Sequence, residues 1–145
     1  DLRYWFMSQE FTLAKDANRA QKVRDIFKAS MQQVAANYDA LVAPTVCTPA
    51  YPFDAVDLEI GSKKIEIKAP GMSTDVLVRL TRPANMACIC AVSVPCGTTS
   101  GGLPIGLQIM GRRLGEPAIF ALAHQYGVAT GRAVAAVPPL LTATA

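Results

Sequence analysis

Two short segments that alternate apolar with small or polar residues, joined by a glycine-rich connection, constrain this chain more than any other feature. They lie within residues 81–111, TRPANMACICAVSVPCGTTSGGLPIGLQIMG. In residues 91–95, Val92 and Val94 alternate with Ala91 and Ser93, and in residues 105–109, Ile105, Leu107 and Ile109 alternate with Gly106 and Gln108. A period of two over such lengths specifies strands with one face buried more deeply than the other. Gly97, Gly101 and Gly102 give the connection freedom for a turn longer than a minimal hairpin. The expectation is a β-hairpin inside a hydrophobic core.

Composition sets the limits around that hairpin. A chain of 145 residues, 51% hydrophobic and 17% charged, suits one domain with a real core and excludes a disordered or highly charged class. A net charge of +3, scattered along the chain, gives no footprint for nucleic acid. No uninterrupted apolar run reaches the roughly 18 residues that mark a membrane span, and no basic-plus-apolar leader opens the chain. It starts at Asp1 rather than methionine, as expected of an excised or incomplete product. Cys47, Cys88, Cys90 and Cys96 are the four cysteines. Three lie in or beside an apolar strand, where cysteine behaves as a small hydrophobe, so reduced, mainly buried thiols and a cytoplasmic setting are expected. A metal site would need ligands beyond Cys88 and Cys90, yet His124 is the sole histidine and there is no CxxC. No metal ligand and no cofactor-binding residue is assigned.

Taken in order, the chain opens on aromatic residues Tyr4, Trp5, Phe6 and Phe11, which need partners to be buried. Thr12 is read as the N-cap of a long helix reaching about Asn37, with Val23, Ile26, Phe27, Ser30, Met31 and Val34 on its inward face. Lys22 and Arg24 are read as solvated charges. Leu41 and Val42, followed by Pro44, suggest a strand buried on both faces. Residues 45–54 are too rich in proline to be regular. Leu58-Glu59-Ile60, Gly61-Ser62 and Ile65-Glu66-Ile67 read as a surface hairpin. Residues 72–82 read as a helix capped by Ser73 or Thr74 and limited by Pro83. The last helix is placed at residues 117–126, with Ile119, Leu122 and Ala123 inward and Gly127 as its stop. Residues 128–145, with Pro138 and Pro139, read as a loosely held tail. No repeat and no second domain is evident.

The connection GTTSGG at residues 97–102 resists the usual catalytic readings. A phosphate loop needs lysine after its second glycine, where this chain has Leu103. A nucleophile elbow GxSxG needs glycine where Thr98 stands. Ser100 has no base with an obvious partner beside it, and a hydroxyl without a base is a poor nucleophile. His124 falls among apolar residues on a helix and reads as structural.

Several separated motifs nevertheless resemble one family. Asn85-x-Ala87, AVSVPCG at residues 91–97, GGLPIGLQIMGR at 101–112, YDALVAPT at 38–45, and His124 with Tyr126 are similar, in the right order, to the C-terminal part of amidase signature enzymes. The resemblance implies an α/β fold, a piece of the family's mixed β-sheet core covered by helices, with residues 1–145 forming the C-terminal part of a single domain. It implies hydrolysis of a carboxylic amide by a Ser–Ser–Lys arrangement lying upstream, so no catalytic residue is assigned here. It implies no cofactor, a small-molecule amide as substrate, and as partner the missing N-terminal half, with neither nucleic acid nor membrane. An apolar edge left uncovered would bring self-association. Two departures stand out. Family members commonly carry Ala-Gly-Leu-Pro where this chain has Ala87-Cys88-Ile89-Cys90, which removes a permissive glycine and a rigid proline. Glutamine-using amidotransferase A subunits carry an aspartate where Val78 stands, and valine cannot pair with a substrate ammonium. The rival readings are a glutamyl-tRNA amidotransferase A-type subunit and a non-catalytic remnant acting as an interaction module.

Overall fold

The computed structural model describes residues 3, 6–7, 10–52, 54–66 and 77–131. Its centre is the hairpin expected from the alternation. Strand β4 (Ala91–Thr98) pairs antiparallel with β5 (Pro104–Met110), with Val92 opposite Ile109 and Ser93 opposite Gln108. The register slips between Pro95 and Gly97, so Cys96 is the extra residue of a bulge. Residues 99–103 close the turn through a Thr99 N–H bond to the Leu103 carbonyl (2.8 Å), with Gly102 at φ +80°. That value lies in the left-handed region, where glycine has no Cβ to clash.

A third strand, β1 (Leu41–Pro44), pairs antiparallel with the other side of β5, giving the order β1–β5–β4. The described strands contain no parallel pair of the kind a mixed sheet implies, and the fold class is α/β as expected. Because β1 lies at the edge, Val42 is exposed, which corrects the reading of a strand buried on both faces. The surface hairpin forms as read, with β2 (Asp57–Ile60) against β3 (Lys63–Glu66). Gly61, at φ +61°, takes the first turn position, where a two-residue turn favours glycine. Lys64 bridges to Asp57 at 2.9 Å, and this hydrogen bond, together with the aspartate's charge, raises the lysine's pKa.

Helices cover both faces of the sheet. On one face, Met110 joins Ala84, Ala87 and Ile89 in a core against which Phe27, Met31, Leu41 and Ala43 pack. Phe27 and Met31 come from α1 (Ala14–Ala36) and the two alanines from a six-residue helix, α2 (Arg82–Ala87). On the other face, α3 (Glu116–Ala129) packs on β4 and β5. Its Ile119, 1% exposed, sits so close to Gly111 that a Cβ there would lie 2.5 Å from the isoleucine Cγ2.

The structure corrects several boundaries. Helix α1 starts after Leu13, and Thr12 does not cap it. The buried face of α1 runs through Phe27, Met31 and Ala35, while Val23, Ile26 (70% exposed) and Val34 form an exposed ridge about a quarter of a turn away. Arg24 is no idle charge: its Nε donates to the Met86 carbonyl (3.4 Å), and Gln32 Nε2 donates to that of Ala87 (3.1 Å). Both satisfy carbonyls that the end of a short helix leaves open. Pro83 occupies the first turn of α2, where its missing N–H costs nothing, so it opens a helix instead of ending one. Helix α3 runs past Gly127 to Ala129, and Leu122 faces outward. Tyr4, Trp5, the Ser73 and Thr74 caps and the tail from 132 lie outside the described residues.

Cys88 ends α2 in the left-handed conformation, φ 55° and ψ 41°. Here stands the cysteine that replaces a permissive glycine in the Ala-Gly-Leu-Pro pattern. A left-handed non-glycine residue costs roughly 1–2 kcal/mol. Cys88→Gly should therefore stabilise the chain by about 1 kcal/mol, read as a higher urea midpoint at unchanged slope. A lower midpoint would mean that the Cys88 side chain contributes more than its backbone strain removes.

Candidate functional site

The concave surface of interest lies where β5 begins. A cavity of about 230 Å³ is lined by residues 46–50, the irregular stretch after β1, and by Pro104, Ile105 and Gly106 of β5. After Thr45 the chain leaves the ladder, and the stretch 46–50, with Pro49 in it, folds over the strand start as a wall. Thr45 is its anchor, its N–H donating to the Gly106 carbonyl at 2.9 Å. The Thr45 and Ser93 hydroxyls share a hydrogen bond of 2.6 Å across that glycine. An ideal Cβ on Gly106 would lie 2.7 Å from Thr45 Oγ1 and 3.1 Å from Ser93 Oγ.

The chemistry of this lining is narrow. Valine, prolines, alanine and isoleucine supply apolar surface, and Thr48 and Cys47 the polar atoms. No carboxylate, ammonium or imidazole lines it, and the Cys47 thiol is the one ionisable side chain in the lining. It can hold an apolar group and offer a hydroxyl and a thiol.

Further along the same face of β5, Gln108 is 4% exposed, and its Nε2 donates to the Leu80 carbonyl at 2.9 Å. The bond fastens the turn at Val78–Thr81 to the central strand. Thr81 closes that turn, its N–H and its hydroxyl both donating to the Val78 carbonyl at 3.2 Å. Val78, half-buried, brings no charge to the segment.

The residues singled out from the sequence do not converge. Ser100 is exposed in the hairpin turn and has no hydrogen-bonding partner among the described residues; Thr99 is the turn residue that bonds, accepting from the Leu103 N–H at 3.1 Å. His124 is exposed on α3 instead of packing among apolar groups. All four thiols are free, but they are not uniformly buried. Cys88 is exposed beside Arg24, with Nη2 3.8 Å from its sulfur, whereas the half-buried Cys90 donates to the Arg112 carbonyl at 2.9 Å. No group of three or more histidine, cysteine or acidic residues suited to a metal occurs among the described residues. The sequence reading missed Gln108 and the Thr45–Ser93 pair. The available signal was a lone glutamine, and a lone glycine, inside an apolar strand pattern.

Comparison with solved structures shows that this fold is an α/β core found in other proteins. A crystal structure of an amidase superposes with a TM-score of 0.76 at 21% identity, covering 89% of this chain and 28% of that one. A 6-aminohexanoate cyclic dimer hydrolase gives 0.71 at 23% identity, covering 94% and 29%. The family model described as Amidase matches residues 2–120, and the chain belongs to that family. The glutamyl-tRNA(Gln) amidotransferase A subunit of Bacillus cytotoxicus is 38% identical over 112 residues, which is 77% of this chain and 21% of the relative. The chain thus spans about a fifth of the length of the curated relatives it matches. Among the described residues, no helix is long and apolar enough to cross a membrane.

The Gln108 tie has a measurable cost of removal. Gln108→Leu roughly keeps the volume but leaves the half-buried Leu80 carbonyl without its donor. Such a change should cost about 1–3 kcal/mol, seen as a lower urea midpoint, with faster amide hydrogen exchange at Thr81. An unchanged midpoint and unchanged exchange would show that water replaces the amide without loss.

Proposed function

We propose that this chain is the C-terminal portion of an enzyme that hydrolyses a carboxylic amide C–N bond, and that its nucleophile and base lie upstream of Asp1. The carrying observation is the lining of the cavity, which offers apolar surface, a hydroxyl and a thiol but no carboxylate, ammonium or imidazole. Such a surface serves as the wall of a substrate pocket, not as its reactive part. In the reaction this reading invokes, a serine attacks the amide carbonyl while a lysine, acting through a bridging serine, moves the proton to the departing amine. Water then cleaves the acyl-enzyme. A serine hydroxyl needs such a base within hydrogen-bond reach, and backbone N–H groups stabilise the oxyanion. No metal or organic cofactor is invoked, and the setting of this reading is the cytoplasm.

A second reading, an amidotransferase A-type subunit working with partner subunits, is favoured by the 38% identity to the Bacillus cytotoxicus protein. The apolar Val78 weighs against glutamine as the amide donor, since it gives a substrate ammonium nothing to pair with. The two readings separate on substrate: the whole polypeptide should release ammonia from simple aliphatic or aromatic amides faster than from glutamine. The reverse preference would favour the amidotransferase.

The purified 145-residue chain should release no ammonia from the same amides above buffer. Release that disappears on Ser100→Ala would overturn the placing of the nucleophile outside this chain.

A further inference from the structure

Strands β1 and β4 are not neighbours; β5 runs between them. Adjacent strands lie about 4.7–4.9 Å apart, so side chains from the two outer strands ordinarily do not meet. Thr45 and Ser93 meet at 2.6 Å because the residue beneath them, Gly106, has no side chain. Thr45 directly precedes the 46–50 wall of the cavity, and Gly106 belongs to the cavity floor. One glycine therefore contributes both to the space for ligand and to the space for the bond that holds the wall.

We propose that Thr45, Ser93 and Gly106 act together as positioning residues that latch the 46–50 wall onto the sheet and so set the width of the cavity. The pair has two hydroxyl protons and uses one of them internally. The wall beyond Thr45 has no strand pairing of its own: Thr48 bonds locally, to the carbonyl of the next residue at 3.1 Å. With the latch open, the Thr45 backbone bond is the remaining polar tie between β5 and the stretch carrying Cys47 among the described residues. That the cavity receives a part of the amide substrate rests on the function proposed above; the latch itself does not.

Cys47 lies in the wall, so its thiol reports on the latch. Modification rates of the individual cysteines are measured by mass spectrometry in the whole polypeptide that carries this chain. Thr45→Val, Ser93→Ala and Gly106→Ala should each raise the Cys47 rate roughly three- to tenfold, the factor an ordinary net hydrogen bond is worth. Thr45→Ser should restore the native rate. The Thr45→Val/Ser93→Ala double variant should add little to either single change, as expected of partners in one interaction. Cys90, which bonds the Arg112 carbonyl and does not line the cavity, should keep its rate. An unchanged Cys47 rate, additive single effects, or a parallel rise at Cys90 would overturn the latch. In turnover, Thr45→Val should raise KM for a small aliphatic amide several-fold with little change in kcat. A native polypeptide that cleaves no amide would defeat the proposed reaction while leaving the thiol pattern to decide the latch.

Discussion

Burial of the C-terminal end of β5 on both faces is the constraint on which the rest depends. Ile109 and Met110, consecutive in the strand, point to opposite sides and are 1% and 8% exposed. Each therefore demands its own covering layer, and the chain supplies α1 with α2 on one side and α3 on the other. Burying such a side chain is worth about 1.5–3 kcal/mol. The short α2 exists largely because that demand exists. Six residues are too few to hold a helix alone, but here they are pinned by Met110 beneath and by Arg24 and Gln32 from α1.

The opposite end of β5 is built on another principle. Pro104 and Ile105 are exposed, Gly106 and Leu107 are half-buried, and Gln108, Ile109 and Met110 are buried. One strand thus passes from an open, small-residue floor to a closed core within seven residues. Gln108 marks the crossing. It is buried like its neighbours, yet it spends its amide on a loop carbonyl, carrying the order of the core outward to the Val78–Thr81 turn.

This gradient explains which features were legible in the sequence. Period two located both hairpins, and Gly61 and Gly102 stood where backbone conformation required them. Alternation cannot reveal a gradient along a strand, so in β5 the expected difference between faces, one buried more deeply than the other, gives way to a difference between ends. The same limit applies to α1, where an apolar stripe wider than its contact face left Val23, Ile26 and Val34 counted as core although they are exposed. Helix α2 escaped because Pro83 reads as a stop unless its first-turn place is known. The Thr45–Ser93 pair escaped because it joins two segments of the sheet separated by a third. The departure at Cys88 was legible only through the resemblance, whose members carry glycine there, because the cysteine itself gives no sign of left-handed backbone.

The order of strands in the sheet also governs the order in which the chain can assemble. Strands β4 and β5 are joined by a five-residue turn, whereas β1 pairs with β5 from more than sixty positions upstream, Pro44 meeting Leu107. Closing the longer loop costs more chain entropy, growing as the logarithm of its length, and distant pairings slow folding. The hairpin is therefore the natural first structure and β1 a late arrival. While β1 is away, one side of β5 presents unpaired backbone groups between apolar neighbours, an edge on which a foreign strand could pair. The segment most exposed to misassembly is thus the one that later forms the centre of the sheet.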